Sequence, residues 1–213
     1  MRDDHLKEEM RQALADRIGE DLQNRFANAC VAVCGLGGLG SNIAISLARA
    51  GVGKLILVDF DRVDITNLNR QQYKVKQLGE YKADALRENL AEIAPYADVR
   101  AFVRKMDESN YEELLGDADI VCEAFDRAEE KSRISNFALE NMPDKYLVAA
   151  SGMAGLGSPN EIVTAKITEK FYLCGDGKSE ATAGNGLFSA RVMLCAAHQA
   201  QTVLRILAGE YEI

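Results

Sequence analysis

The stretch VAVCGLGGLGSNIAISLARAGVGKLILVDFD, residues 31–61, constrains the fold more than any other part of the chain. VAVC at 31–34 and LILVD at 55–59 are short, continuous apolar runs, the pattern of strands buried on both faces of a parallel sheet, and NIAISLARAG between them reads as a helix. Parallel neighbours need a crossover connection, so the segment is one βαβ unit. GLGGLGS satisfies G-x-G-x-x-G directly after a strand and at the start of a helix. Glycines let the backbone turn sharply and approach phosphate oxygens, while the unpaired amides and dipole of the helix start favour negative charge. Asp59 ends the second strand roughly 20 residues after the cluster, placed to accept hydrogen bonds from ribose hydroxyls. These features together predict an adenine-nucleotide site; the competing reading is a tight turn without a ligand.

The rest of the chain extends the same pattern. Leu6, Met10, Leu14, Ile18, Leu22 and Phe26 recur every fourth residue and predict one amphipathic helix over 4–27. KADALRENLAEIA at 82–94 reads as a helix stopped by Pro95, DVRAFV and ADIVCEA as strands, AEEKSRISNFALENM as a helix stopped by Pro143, and YLVAASG at 146–152 as a further buried strand. EIVTAKI alternates like a half-exposed strand that could extend the sheet antiparallel. CGDGKSEATAGNG at 174–186 reads as a mobile polar loop, and LFSARVMLCAAHQAQTVLRILAG as a long, largely buried final helix. The expected fold is α/β: a Rossmann-like open, mainly parallel sheet with helices on both faces and an antiparallel extension near the C-terminus. A single domain over 1–213 is expected, with an N-terminal helix at 4–27, a nucleotide-binding core at 30–152 and a C-terminal region at 153–213.

Composition narrows the function classes. A formal net charge of −8 argues against general affinity for nucleic acid or anionic membranes. No apolar run approaches the roughly 20 residues that span a bilayer, and the polar start MRDDHLKEEMRQ lacks a secretory apolar core, so a cytoplasmic location is expected. The five cysteines form no C-x-x-C pair, which disfavours a four-cysteine zinc site or a thioredoxin-like motif. Cys30, Cys34, Cys122 and Cys195 read as buried thiols, whereas Cys174 falls in the glycine-containing loop. His5 and His198 read as structural, and no Ser-His-Asp or Cys-His constellation is visible.

The glycine cluster alone does not separate NAD from ATP. DRVDITNLNRQ presents Asn67, Asn69 and Arg70 just beyond the ribose acid, and Lys82 follows one short segment later. A hydride-transferring enzyme has no use for such groups, but Arg70 can offer a planar fork to phosphate oxygens and Lys82 a point charge to a leaving group. The ordinary role of each is a surface ion pair or a solvated side chain.

GLGGLGS, DFD, N-x-N-R-Q, the lysine and Asp126 in EAFDRAEEKSR together resemble the ubiquitin-like-protein activating superfamily, and within it the ThiF-type adenylyltransferases of the sulfur carrier ThiS, over nearly all of residues 11–208. The resemblance implies that Gly35, Gly37, Gly38 and Gly40 line the nucleotide site, that Asp59 holds the ribose with Asp61 beside it, and that Asn67, Asn69, Arg70 and Lys82 bind the polyphosphate. Asp126 would hold Mg2+; its structural alternative is a cap on the helix starting near Arg127. Relatives borrow an arginine from the partner subunit's N-terminal helix, matched here by Arg11 in MRQ and, second, by Arg17, which implies a homodimer; a solvated helix face is the alternative. The implied substrate is a sulfur carrier protein ending in Gly-Gly, adenylylated with release of pyrophosphate, as in thiamine biosynthesis; 153–213 would be the carrier-binding and crossover region, with the loop at 174–186 covering the carrier tail, for which an ordinary mobile connection is the alternative. No zinc is expected, and Cys174 is a poor candidate for a thiol step. Alternatives are a tRNA threonylcarbamoyladenosine dehydratase-like enzyme, which TNLNRQ also resembles, an NAD-dependent oxidoreductase, and an inactive scaffold.

Overall fold

The computed structural model describes residues 2–213. The first βαβ unit is β1 (Cys30–Cys34), α3 (Gly38–Arg49) and β2 (Lys54–Val58), preceded by α1 (Arg2–Ile18) and α2 (Glu20–Asn28). It is followed by α4 (Lys82–Ile93), β3 (Asp98–Phe102), α5 (Tyr111–Leu115), β4 (Ile120–Glu123), α6 (Ala128–Asn141), β5 (Tyr146–Ala150), β6 (Val163–Thr168), β7 (Phe171–Gly175) and α7 (Ser189–Ala208). The strands form one sheet in the order β3-β2-β1-β4-β5-β7-β6, parallel throughout except that β6 runs antiparallel to β7. The expected antiparallel extension is therefore β6. It joins the sheet through β7, a parallel strand whose last two residues fall in the stretch 174–186 that reads as a loop.

Alternation along the central strands builds two cores. Val31, Val33, Leu55, Leu57, Ile120, Cys122 and Val148 face one side, where they pack with residues of α3, α4 and α7. Ala32, Cys34, Ile56, Val58, Val121 and Leu147 face the other, with Tyr111, Leu114 and Leu115 of α5 and Ile134 and Ala138 of α6. Helices on both faces explain why these strands read as unbroken apolar runs.

Two expectations are corrected. The helix predicted over 4–27 is broken at Gly19, whose φ of 90° lies in a region that side-chain-bearing residues avoid. A four-residue apolar spacing continues across that break, which is why periodicity alone reads through it. Cys174 does not lie in a loop: it pairs with Ala150 inside β7 and is fully buried. All five cysteines are free and buried. Burial pushes the Cys174 thiol up, opposed by contacts with the Thr164 and Thr202 hydroxyls, so nothing activates it as a nucleophile. Among the described residues no helix is long and apolar enough to cross a membrane.

Candidate nucleotide site

The order of strands reverses on either side of β1, and ligands of open α/β sheets bind beyond the carboxyl ends of strands at such a switch point. Register makes the site specific. Val58, Cys34 and Glu123 stand in one row across β2, β1 and β4. The residues that follow them, Asp59, Gly35 and Ala124, therefore emerge side by side at one edge.

Each glycine of the cluster has a different task. Gly35 has a φ of 87° and donates its N–H to Val58 O at 2.9 Å, while a Cβ there would lie 2.8 Å from Ala124 O. A Cβ at Gly40 would fall on the Gly35 carbonyl oxygen, so this glycine lets α3 start directly against the end of β1. A Cβ at Gly38 would meet Val192 of α7 at 2.9 Å and the Arg70 stem at 3.4 Å. Only Gly37 has room, its nearest neighbour being the Gln71 amide nitrogen at 3.7 Å. It precedes the first turn of α3, where no side chain caps the amides. Gly35 and Gly40 thus build the turn, Gly38 admits α7 and the Arg70 stem against it, and Gly37 leaves open space.

Asp59, only 8% exposed, accepts from Leu36 N at 2.6 Å and Asp61 N at 2.7 Å. Burial pushes its pKa up, against the pull of Lys82 and the two amides. Lys82, 5% exposed at the start of α4, donates to Asp61 Oδ2 at 2.8 Å, and its own N–H bonds Asp61 O at 2.9 Å. Arg70 is held by the turn that carries it, donating from Nη2 to Asn67 Oδ1 at 2.9 Å and from Nη1 to Asn69 Oδ1 at 2.8 Å. Asn69 in turn donates to Leu187 O at 3.3 Å, which links this turn to the segment before α7. Asn67, Asn69, Arg70, Asp59, Asp61 and Lys82 therefore gather around the glycine turn. Arg70 and Lys82 are engaged by neutral amides or by one carboxylate.

Asp126 lies just past β4, exposed, with no hydrogen bond or ion pair among the described residues. The cap reading fails, because α6 begins at Ala128 behind Arg127 with no side-chain cap. Arg11 is not brought to this edge. Its Nη2 donates to Tyr96 O at 3.0 Å, just before β3 begins and so at the opposite end of the sheet. Arg17 lines a cleft at that same end with Met10, Leu14, Arg49, Ile93 and Tyr96.

Three groups near the crevice were missed in the sequence. Glu123 is fully buried at the end of β4; it accepts from Phe125 N at 2.7 Å and from Lys131 Nζ at 3.0 Å on each oxygen, and so fixes the turn that carries Asp126. Burial raises its pKa and Lys131 opposes the rise. Gln71, 8% exposed, has a buried side-chain oxygen with no hydrogen-bond partner, beside Gly37. Arg191, at the start of α7, is 7% exposed. Only Gln71 carried a signal, its place directly after Arg70.

Among the described residues no cluster of three or more His, Cys, Asp or Glu could hold a metal alone. Asp126 fits a hard cation that takes most of its oxygen ligands from phosphate and water.

Comparison with known proteins agrees with this geometry. The tRNA threonylcarbamoyladenosine dehydratase of Bacillus subtilis (strain 168) is 35% identical over 154 residues, which are 71% of this chain and 60% of that protein. The sulfur carrier protein adenylyltransferase of Thermus thermophilus is 34% identical over 150 residues, 70% of this chain and 50% of that protein. The chain thus spans half to three fifths of the length of these relatives. The fold matches E. coli tRNA N6-threonylcarbamoyladenosine dehydratase in complex with ATP, with a TM-score of 0.83 at 22% identity over 93% of each chain. It also matches E. coli MccB with ATP, with a TM-score of 0.69 at 20% identity over 90% of this chain and 59% of that one. A model of the ThiF family matches residues 10–213, and on that span, with the glycine turn, ribose acid and N-x-N-R-Q segment on one sheet edge, the chain belongs to the ThiF family.

Proposed function

We propose that the chain is an ATP-dependent adenylyltransferase whose substrate is the C-terminal Gly carboxylate of a ubiquitin-like sulfur carrier protein, as in thiamine biosynthesis. The observation that carries the reading is the set at the crevice: a glycine turn with no side-chain cap, a buried carboxylate beside it, two cations, and an unpaired carboxylate at the end of the adjacent strand.

The turn formed by Gly35, Gly37, Gly38 and Gly40 would receive the phosphates on its uncapped amides, and Asp59 the ribose. Asp61 would release Lys82 toward phosphate, and Arg70, oriented by Asn67 and Asn69, would present its fork. A carrier carboxylate oxygen attacks the α-phosphorus, the bond to the bridging oxygen of pyrophosphate breaks, and acyl-adenylate and pyrophosphate leave. No protein nucleophile is needed; positioning and charge stabilisation do the chemistry. Asp126 would hold Mg2+, which supplies neutralising charge to phosphate oxygens. Arg11, remote from the crevice of its own chain, could act only from a second copy, which makes a homodimer part of the proposal.

A second reading, activation of a tRNA-borne carboxylate, is favoured by the likeness to the dehydratases. The net charge of −8 favours the protein carrier. Exchange of labelled pyrophosphate into ATP decides between them. It should require Mg2+ and a carrier ending in a free Gly-Gly carboxylate, and vanish when that carboxylate is amidated. Exchange supported by tRNA and by no carrier would replace the first reading with the second.

A further inference from the structure

Arg191 is a buried cation that the proposed chemistry leaves unused. It occupies the first turn of α7, where the helix dipole disfavours positive charge. Its neighbours compensate. Nη1 donates to Gly157 O at 2.6 Å and Ser158 O at 2.7 Å, and Nη2 to Asp176 Oδ2 at 2.7 Å and Glu161 Oε2 at 3.4 Å. Asp176 in turn accepts on Oδ1 from Lys178 N at 2.9 Å and Ser179 N at 2.8 Å, and Ser179 Oγ accepts from Ala154 N at 2.9 Å. Lys178 closes the set by donating to Glu161 at 3.0 Å.

One guanidinium therefore ties the stretch 154–161 to the stretch 176–179 and both to α7. Two glycines are shaped around it. A Cβ at Gly152 would fall on Asp176 Oδ1, and one at Gly157 would lie 2.7 Å from Glu161 Oε2 and 3.1 Å from Arg191 Nη2. Burial alone would raise the Asp176 pKa, yet the hydrogen bonds from Ser179, Lys178 and Arg191 hold it well below the usual carboxylate range.

The tied region borders the nucleotide crevice. Val192, next to Arg191, is the residue that a Cβ at Gly38 would strike. The segment between Asp176 and Leu187 is largely exposed along its middle and held at its far end by Asn69 Nδ2 to Leu187 O and by Gly155 N to Gly186 O at 2.9 Å. It is a strap fastened at both ends along one side of the glycine turn. We infer that Arg191 is a positioning residue for the carboxylate-bearing substrate, fastening through Asp176 the wall along which that chain reaches the α-phosphate, with no contact to ATP. The inference rests on the adenylylation reading above.

Arg191→Lys keeps the charge but not the fork, and Asp176→Asn keeps the shape but not the charge; both are checked for wild-type-like folding by circular dichroism. AMP formation is followed in the full chain with hydroxylamine as trap, using the Gly-Gly carrier or the tRNA, whichever the wild type activates. A lost charge-assisted pair is worth about a tenfold change or more. The expected result is a KM for the acyl substrate raised at least about tenfold in both variants, with kcat and the KM for ATP within about twofold. Limited proteolysis of the apo protein should cut within 177–186 about tenfold faster, because the strap has lost one fastening. Equal cleavage in variants and wild type overturns the inference, as does a KM for ATP that rises in step with that for the acyl substrate. Should the wild type form AMP with neither substrate, the proposed function fails and the cleavage rates alone decide on Arg191: faster cutting in both variants upholds the fastening, and unchanged cutting removes it.

Discussion

Lys131→Met isolates the buried pair behind the Asp126 turn. In the native protein Lys131 Nζ lies 3.0 Å from both oxygens of Glu123 and 3.0 Å from Ala150 O, while the Glu123 side chain is 1% exposed. Removing the ammonium leaves the carboxylate with backbone amides and no countercharge, and such orphaned charges cost about 3–5 kcal/mol. Glu123 can escape by taking up a proton, which limits the cost. From the ordinary value of 4.5, protonation at pH 8 costs about 5 kcal/mol and at pH 6 about 2 kcal/mol, at roughly 1.4 kcal/mol per pH unit. The folded variant then holds a proton that the unfolded chain has lost, because burial raises the pKa and the opposing Lys131 is gone. Stability of the variant relative to wild type should accordingly fall as pH rises from the Glu123 pKa of the native protein, itself raised above 4.5, to the still higher pKa of the variant, by up to about 1.4 kcal/mol per unit. Urea unfolding at pH 5, 6, 7 and 8 measures it. Adding Glu123→Gln, which retains an acceptor for Phe125 N, should restore more than half of the loss at pH 8. A cost that does not vary between pH 5 and 8, or a double variant no more stable than Lys131→Met, would refute the reasoning.

The remaining predictions concern the crevice. Gly40→Ala must displace the Gly35 carbonyl and should destabilise by about 1–3 kcal/mol or more in thermal unfolding, whereas Gly37→Ala should unfold like wild type and weaken ATP binding in calorimetry. Arg70→Ala and Lys82→Ala should each lower pyrophosphate exchange by at least about a hundredfold, the scale of a lost transition-state donor; wild-type exchange in either removes its role. Cys174→Ala should leave exchange unchanged while costing about 1–2 kcal/mol of stability for the cavity left in β7, and a covalent carrier adduct lost only in that variant would show that the buried thiol does react.

Much of the sheet was legible because its determinants are local. VAVC, LILV and IVCE carry their burial in consecutive apolar residues, and the glycines of GLGGLGS announce the turn that follows β1. The missed parts depend on distant partners. Phe171–Gly175 runs directly into a glycine-rich stretch and becomes a strand only because β5 offers it an edge and α7 covers Tyr172 and Cys174. Glu123 reads as the polar end of an apolar strand, and nothing local tells that Lys131, one turn into the next helix, comes back to meet it. Arg191 looks like the polar start of a helix until the chain brings Asp176 and Glu161 against it. At the crevice, Asp59, Asn67, Asn69, Arg70 and Lys82 were found through their spacing after the glycine cluster and Asp61 through the family resemblance, and the structure brings them together. Arg11 was matched through the family resemblance alone, and helix α1 carries it to the far end of the sheet.

The burial of every thiol gives this protein a built-in stopwatch. Cys34, Cys122, Cys174 and Cys195 are sealed on β1, β4, β7 and α7, so a thiol reagent can label them only while the structure around each one opens. Labelling rates read cysteine by cysteine would rank the opening events of the sheet and its last helix without any engineered reporter, and a nucleotide that binds at the switch point should slow the Cys34 and Cys122 readings together.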